Sequence, residues 1–285
     1  MQKFIKLIEC PRDAMQGWPH LIPTAKKIAY LNQLLKVGFD TIDFGSFVSP
    51  KAIPQMADTK EVLKGLDLSH TQSKLLAIVA NTRGAEEAVH YEQISYLGFP
   101  FSISATFQQR NTNSSIEAAF KTVEEMQTLC NKHQKQLIVY ISMGFGNPYG
   151  DPYSEEIVFD WANKLNGIGV TTLSLADTVG VATADQISTI TSYIIPSLPQ
   201  VEIGVHLHSS FHHREEKTKA ALQSGCLRFD GAIKGIGGCP MAGDNLVGNM
   251  DTVWMTDYFS SLDLMPQMDK NAFDETVLMA ADIFI

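Results

Sequence analysis

The chain has 285 residues, with 22 Lys+Arg against 31 Asp+Glu and a formal net charge of −9. Hydrophobic residues make up 45% and charged residues 19%, which is typical of a chain that buries a core and argues against disorder. An acidic balance without a Lys/Arg run argues against nucleic acid as a partner, and no apolar stretch approaches the ~20 residues that a membrane span needs.

The cysteine content indicates the cellular compartment in which the protein is expected. The four cysteines, Cys10, Cys130, Cys226 and Cys239, are irregularly spaced and include no CxxC pair. A disulfide framework is therefore not expected, and a cytoplasmic location is predicted. Because the chain has no Pro/Gly/Ser-rich linker, low-complexity tract or fixed-period repeat, residues 1–285 are predicted to form one domain.

Short β-rich runs alternate with longer amphipathic segments along the chain. Eight of these runs are apolar and short enough to be strands. In chain order, the predicted strands are Phe4–Ile8, Thr41–Phe44, Leu75–Ala80, Phe99–Ala105, Leu137–Met143, Val170–Leu175, Val201–Leu207 and Phe229–Ile233.

Segments with helical spacing fill the intervals between these strands. Thr24 is a candidate N-cap for a helix that Gly38 ends, and Ser114 with Glu117 resembles a capping box. The segment 58–66 has a shorter and weaker helical pattern. Further helices are predicted over 84–96, 154–166, 183–194, 212–224, 250–262 and, as an addition at the C-terminal end, 271–284.

Eight alternating β and α units with hydrophobic strands indicate a parallel sheet covered by helices. At this length the economical solution is a single (β/α)8 TIM barrel with an additional C-terminal helix. A doubly wound open sheet is the alternative, but a Gly-rich dinucleotide turn is missing after the first strand. The glycine-containing segment 144–150 has the wrong spacing and follows the fifth strand, so no nucleotide-binding site is predicted.

The clearest candidate for chemistry is the sequence His206-Leu207-His208, at the end of the seventh predicted strand. Strand residues two apart project to the same face, so both imidazoles can converge at the carboxyl end of the barrel, where such barrels hold their active sites. Two converging imidazoles form half of a metal site. The alternative is that they are ordinary polar residues closing the barrel end.

A second candidate, Arg12-Asp13, directly follows the first predicted strand. In a closed barrel the first strand neighbours the last, so Asp13 can approach the histidine pair. A carboxylate with two imidazoles suits a divalent cation with open positions, and Arg12 is a fixed cation able to hold an anionic oxygen. The alternative is a solvated surface pair.

The third candidate is the glycine-rich segment 235–249 after the eighth predicted strand. Its length suits an active-site loop, and it contains Cys239 and Asn249, whose amide oxygen can bind a metal. The remaining cysteines and two further histidines have plainer roles. Cys10 lies near the site without an assigned role, Cys130 and Cys226 are expected to be buried, and His212 and His213 are expected to open the next helix.

Several motifs taken together resemble the 3-hydroxy-3-methylglutaryl-CoA lyases, a family of metal-dependent barrels. Glu9–Gln16 is similar to the family's PRDGLQ opening, and the resemblance continues in the same order over about residues 5–258. The matching segments are 46–66, 108–120, 174–183, 205–208, 235–240 and 248–249.

The resemblance implies a role for each matching side chain. Asp13, His206, His208 and Asn249 would bind a divalent cation such as Mg²⁺ or Mn²⁺. Arg12 would stabilise the enolate of the departing acetyl thioester, and Cys239 would be the acid that protonates it. Asp43 stands where the family has a glutamate that positions the arginine.

The implied reaction is retro-aldol-type cleavage of an acyl-CoA substrate to acetyl-CoA and acetoacetate. A metal lowers the pKa of the substrate hydroxyl, a guanidinium stabilises the enolate oxygen, and an acid protonates the new carbon. Asp13 or His206 takes the hydroxyl proton, and the sequence does not choose between them. A homodimer and a place in leucine breakdown are also implied.

Two other functions are compatible with these residues. One is a related lyase or condensing enzyme that acts on another 3-hydroxyacyl-CoA or keto acid. The other is a catalytically silent barrel that binds a CoA ester or a partner protein. The joint presence of Arg12, Asp13, His206, His208, Cys239 and Asn249 argues against a silent barrel.

The chain departs from the family at three places, of which the first two bear on substrate positioning. Asp43 is one methylene shorter than the family's glutamate, which predicts a looser or shifted pairing with Arg12. Gly17-Trp18-Pro19 replaces Asn-Glu-Lys, so Trp18 either contacts the substrate or packs on the barrel rim. Ser209 replaces an aspartate after the second histidine. None of these departures removes a predicted metal ligand.

Overall fold

The computed structural model describes residues 3–238 and 247–285. Eight parallel strands close into a barrel in which neighbours along the chain pair with one another and the last strand pairs with the first. The predicted (β/α)8 barrel is confirmed. The strands are β1 Lys6–Glu9, β2 Thr41–Ser46, β3 Lys74–Ile78, β4 Ile94–Ser102, β5 Gln136–Ser142, β6 Thr172–Ala176, β7 Glu202–His206 and β8 Arg228–Gly231.

Helices cover the outside of the barrel. In the described ranges they are α1 Pro11–Gln16, α2 Thr24–Val37, α3 Thr59–Lys64, α4 Thr82–Ala88, α5 Ala105–Thr112, α6 Ile116–Lys132, α7 Glu155–Gly167, α8 Ala184–Ser197, α9 Arg214–Gln223, α10 Thr252–Ser261 and α11 Lys270–Ile283. Short 3₁₀ turns occupy Pro54–Met56 and Ile233–Gly235. None of these helices is both long and apolar enough to cross a membrane.

Two predicted helix starts are wrong by one residue. Pro23, not Thr24, is the N-cap of α2, and the Thr24 hydroxyl instead donates to Asp58 Oδ2 at 2.7 Å. Ser115, not Ser114, caps α6 by accepting from the backbone N–H of Ala118. In both cases the hydroxyl that was predicted to cap the helix instead forms a hydrogen bond with another polar side chain.

The largest error in the predicted elements concerns the fourth β/α unit. β4 begins at Ile94, five residues before the predicted start, because it pairs with β3 and β5 through residues that are not uniformly apolar. The preceding helix α4 therefore ends at Ala88 rather than at residue 96. Helix α5 was not predicted; it begins after Ser104, whose hydroxyl accepts from the N–H of Phe107.

The main hydrophobic core lies between the strands and the helices, and the barrel interior is more polar. On β8, Phe229 packs outward against Phe259, with ring centroids 4.9 Å apart. The next residue, Asp230, is buried and approaches the Ser174 hydroxyl at 3.3 Å. The predicted C-terminal helix α11 packs on α2, where Gln33 donates to the carboxylate of Glu275.

Candidate active site

A cavity of about 220 Å³ opens at the carboxyl ends of the strands. This is the end at which (β/α)8 enzymes hold their active sites. Its polar lining includes Arg12, Asp13, Gln16, Asp43, Tyr140, Ser142, Thr178, His206 and His208. Its apolar lining includes Val48, Ala52, Ile53, Ile78, Ala80, Pro100, Phe107 and Ala176.

Asp13 lies on the short helix α1, which Pro11 opens directly after β1. Its Oδ1 accepts from Gln16 Nε2 at 2.7 Å and from Arg12 Nη1 at 3.2 Å. Burial is the largest influence on Asp13 and would raise its pKa. Arg12, the two cavity histidines and an amide donor outweigh burial and lower that pKa, so the residue is a carboxylate at neutral pH.

Arg12 is held in a fixed orientation by carboxylates. Asp43 accepts from Nε through both of its oxygens and from Nη2, while Nη1 donates to Asp13 and Gln16. Burial is the largest influence on Asp43 and raises its pKa to about 6 against the opposing effect of Arg12. The expectation that the shorter Asp43 side chain loosens this pairing is wrong, because the two side chains form a bidentate contact.

The two predicted histidines converge at the floor of the cavity. The rings of His206 and His208 meet edge to face with centroids 5.2 Å apart. Nδ1 of His206 faces Asp230 Oδ2 at 3.2 Å, and Nδ1 of His208 faces the carbonyl oxygen of Thr178 at 3.1 Å. Because both partners accept, each Nδ1 carries the hydrogen, which leaves each Nε2 as an electron-pair donor.

Asn249 reaches the same place from the segment that follows β8. Residues 208 and 249 form an antiparallel bridge, which brings the Asn249 amide beside the histidines. Its Nδ2 donates to Asp13 Oδ2 at 2.6 Å and to the carbonyl oxygen of Ile236 at 2.9 Å. Neither of these two contacts involves the amide oxygen of Asn249.

These side chains fit a divalent cation. Ligand atoms of Asp13, His206 and His208 all lie within 4.8 Å of one another. Within the described ranges, Nε2 of His208 and Oδ1 of Asn249 are buried without a hydrogen-bond partner. Buried polar atoms without partners are costly, and a cation at this position would satisfy both of them. One carboxylate, one amide oxygen and two imidazoles form a donor set for a divalent cation.

Electrostatics distinguishes the two histidines. Burial lowers the pKa of His208, and the charge of His206 lowers it further, so His208 is neutral. Burial also disfavours a charged His206, but Asp230 and Asp13 outweigh burial and raise its pKa. A neutral imidazole is the form that binds metal, whereas an imidazole with a carboxylate partner is also suited to accept a proton.

Cys10 lies close to the site, as expected. Its Sγ, a nitrogen of His206 and a carboxylate oxygen of Asp230 lie within 4.8 Å of one another. Burial, followed by the charge of Asp230, raises the pKa of the Cys10 thiol well above its ordinary value. A neutral thiol is a poor ligand and a poor nucleophile, so this cluster adds no function to the site.

The other residues that the sequence singled out lie away from the cavity or outside the described residues. Cys239 lies outside the described residues. Cys130 and Cys226 are buried, as predicted, and His213 stands at the exposed start of α9, where it contacts Glu216. Trp18 packs edge to face on Phe284 of the C-terminal segment with centroids 5.2 Å apart and is not among the residues that line the cavity.

The residues that orient the site were not predicted from the sequence. Asp230 and Thr178 fix the histidine rings, and Gln16 bridges Arg12 and Asp13. Asp230 had a detectable signal, because a carboxylate inside an apolar strand requires a buried partner. Gln16 follows Arg12 by four residues on a helix, which is also a recognisable spacing. Thr178 acts through its backbone and gives no such signal.

The chain is similar to known proteins over most of its length. The family model described as HMGL-like matches residues 5–276. The mitochondrial hydroxymethylglutaryl-CoA lyase of Mus musculus is 32% identical over 255 residues, which is 88% of this chain and 77% of the mouse protein. The Bacillus subtilis hydroxymethylglutaryl-CoA lyase YngG is 33% identical over 232 residues, covering 81% of this chain and 77% of that protein.

Solved structures give the same assignment. The crystal structure of a Bacillus subtilis HMG-CoA lyase superimposes with a TM-score of 0.91 at 29% identity, covering 99% of this chain and 94% of the other. An HMG-CoA lyase from Acinetobacter baumannii, solved with coenzyme A and 3-methylmalate, gives 0.90 at 30% identity, covering 99% and 91%. With this fold, this cavity and a family model spanning most of its length, the chain belongs to the HMGL-like family.

Proposed function

We propose that the protein is a divalent-metal-dependent lyase that cleaves (S)-3-hydroxy-3-methylglutaryl-CoA to acetyl-CoA and acetoacetate. The observation that carries this proposal is the convergence of Asp13, His206 and His208 beside the fixed guanidinium of Arg12 in one cavity. Membership of the HMGL-like family, whose relatives include hydroxymethylglutaryl-CoA lyases, supports it.

The proposed metal ligands are Asp13, His206, His208 and Asn249. Their nitrogen and oxygen donors favour Mg²⁺ or Mn²⁺ over a soft metal. When bound, such a cation supplies a Lewis acid that makes the substrate hydroxyl easier to deprotonate. The residues themselves hold that hydroxyl at the floor of the cavity, next to two groups able to take its proton.

Two bases are available for this proton. Asp13 is a carboxylate with a lowered pKa, which makes it a good ligand and a weak base. His206 has a raised pKa and a carboxylate partner in Asp230, which stabilises the ring after it takes a proton. Because Nδ1 of His206 already carries a hydrogen, its single lone pair on Nε2 can hold the cation or take the proton but not both, so with His206 among the ligands Asp13 is the proposed base.

Arg12 stabilises the charge that develops as the carbon–carbon bond breaks. The electron pair of that bond moves onto the thioester to form an enolate, while the alcohol carbon becomes the ketone of acetoacetate. Asp43, Asp13 and Gln16 engage four of the five guanidinium hydrogens, which leaves one Nη2 hydrogen for the enolate oxygen.

The final step is protonation of the enolate carbon to give acetyl-CoA. Cys239 is the proposed acid on the basis of the family resemblance. Its thiol gives a proton to the carbon, and the proton removed from the substrate hydroxyl can then restore the thiol, so no proton is gained or lost overall.

The substrate assignment is tested by comparing thioesters. We expect kcat/KM for 3-hydroxy-3-methylglutaryl-CoA to exceed that for analogues with a longer or an unmethylated acyl chain. Acetoacetate and acetyl-CoA should form in equal amounts, and a His208→Ala variant should form neither. A preference for another thioester would favour a related lyase or condensing enzyme, and inactivity towards every thioester would favour a silent barrel.

Several finer properties are part of the same proposal. We infer a homodimer, a cytoplasmic location, a role in leucine breakdown and a single domain over residues 1–285. The first three rest on the family resemblance and the cysteine content. The single domain rests on the lack of a linker in the sequence and is consistent with a closed barrel over the described residues.

A further inference from the structure

We propose that the buried ion pair Lys217–Asp177 is a positioning pair that sets the orientation of His208 toward the divalent cation. Neither residue lines the cavity, so the pair would act through His208 and not on the substrate. The inference rests on the proposed metal site. It adds to that site a supporting ion pair that lies outside the cavity.

Lys217 reaches from helix α9 to the strand end that carries the histidines. It is 4% exposed, and its Nζ donates to Asp177 Oδ2 at 2.7 Å, to the carbonyl oxygen of His208 at 2.8 Å and to that of Gly180 at 3.1 Å. An ammonium has three hydrogens, so all of them are used. One of the three fixes the backbone of His208 directly.

Asp177 begins the loop that follows β6, and both its backbone and its side chain form hydrogen bonds there. Its backbone N–H donates to the carbonyl oxygen of His206 at 3.0 Å, and its Oδ1 accepts from the N–H of Ala182 at 3.0 Å. Its carbonyl oxygen accepts from Gly180 at 3.0 Å, which closes a tight turn. The ion pair thereby fixes residues 177–182 as one unit against β7.

This unit carries the group that orients the His208 ring. Thr178 follows Asp177 directly, and its carbonyl oxygen accepts from Nδ1 of His208 at 3.1 Å. The Thr178 hydroxyl accepts from the N–H of Met143 at 2.9 Å, which holds the turn from its other side. Lys217 therefore constrains both the backbone and the ring of His208, and the buried Nε2 faces the proposed metal position.

Stability alone is a poor explanation for this pair. Removing a lysine and an aspartate from water has a desolvation cost that often cancels their attraction. Hydrogen bonds from a charged donor are short and directional, which suits a role in orientation. Partners that orient metal-bound histidines typically contribute roughly 10- to 100-fold to metal affinity.

The test measures Mn²⁺ binding to the full chain by calorimetry, well below the unfolding temperature. The double variant Lys217→Met/Asp177→Asn removes the pair without leaving a lone buried charge, and the amide oxygen that replaces the carboxylate can still accept from Ala182. Lys135→Met is the matched control, because Lys135 also donates to three backbone carbonyls but precedes β5, at the opposite end of the barrel.

We expect the double variant to bind Mn²⁺ roughly 10- to 100-fold more weakly and the control to bind it as the unmodified chain does. In the metal-free variant, ¹H–¹⁵N spectra should show His208 losing its preference for the Nδ1–H tautomer. Unchanged Mn²⁺ affinity in the double variant would overturn the inference alone. If the unmodified chain bound no Mn²⁺, the metal site and this inference would both be overturned.

Discussion

Asn249 and Asp13 are separated by 236 residues in sequence, yet the Asn249 amide donates to the Asp13 carboxylate at 2.6 Å. The contact crosses the seam where β8 pairs with β1 and closes the barrel. It turns the amide oxygen of Asn249 away from Asp13, and that oxygen has no hydrogen-bond partner in the part of the chain that the structure describes.

The Asn249→Ala variant tests this arrangement. It removes one proposed ligand and one partner of Asp13, so Mn²⁺ affinity should fall roughly 10- to 100-fold. Activity should recover in part at high Mn²⁺ concentration. Asn32→Ala is the control, because the Asn32 amide donates to the carbonyl oxygen of residue 65 and accepts from the N–H of residue 67, away from the site. Normal Mn²⁺ affinity in Asn249→Ala would remove Asn249 from the ligand set.

The Arg12–Asp43 pair should control the rate more than substrate binding. In Asp43→Asn the negative charge is lost and one of the two oxygens that accept from Nε of Arg12 becomes an amide nitrogen, so the guanidinium loses its fixed orientation. We expect kcat to fall about 10²-fold with a smaller change in KM, the scale for one misplaced oxyanion donor. Asp40→Asn, at the amino end of the same strand, should leave kcat unchanged. A rise in KM alone would indicate a binding role.

Thiol reactivity should distinguish Cys239 from the other cysteines. Burial raises the pKa of both Cys130 and Cys226 to about 12, and Cys10 is also buried with a raised pKa. Alkylation at pH 7.5 should therefore modify Cys239 first and abolish turnover. Cys239→Ala should lose about 10²-fold or more in kcat, as expected for a missing general acid. Loss of activity through modification of Cys10 would contradict this assignment.

Glu9 should make the folded state less stable as pH rises. Its carboxyl accepts from the N–H of Ile233 and the hydroxyl of Thr252, and burial raises its pKa from 4.5 to about 8. Between these pH values the folded chain retains a proton that the unfolded chain loses, so the free energy of unfolding falls as pH rises.

Glu9→Gln mimics the protonated acid and removes this dependence. Relative to the unmodified chain, it should gain about 2–4 kcal/mol in free energy of unfolding between pH 5 and pH 8, the scale of such a pKa shift. Urea unfolding at four pH values measures the difference, with the exposed Glu117→Gln as control. A difference that does not vary with pH would contradict the raised pKa.

Trp18 should matter for stability and not for the substrate. Its indole packs on Phe284, which also meets the ring of Tyr30, so Trp18 joins the segment after α1 to the C-terminal helix. Trp18→Ala should lower the free energy of unfolding by roughly 1–3 kcal/mol and leave KM unchanged. A KM that rises without loss of stability would instead place the indole on the substrate.

The sequence by itself determined the barrel and several of the side chains at its carboxyl end. Alternation of strand and helix is a local pattern, and the two-residue spacing of His206 and His208 places both imidazoles on one face. Arg12 and Asp13 directly follow a strand, which predicts the end of the barrel at which they lie. These features can be predicted from a single sequence because they depend on residues that are close together along the chain.

Only the tertiary structure decided how these groups are oriented. Asp230 lies 24 residues from His206 and Thr178 lies 30 from His208, and these two acceptors fix which ring nitrogens are left to bind a metal. The 40-residue separation of Lys217 and Asp177 likewise gave no sequence signal. Strand register and barrel closure determine which distant side chains meet, and these depend on the packing of the whole chain.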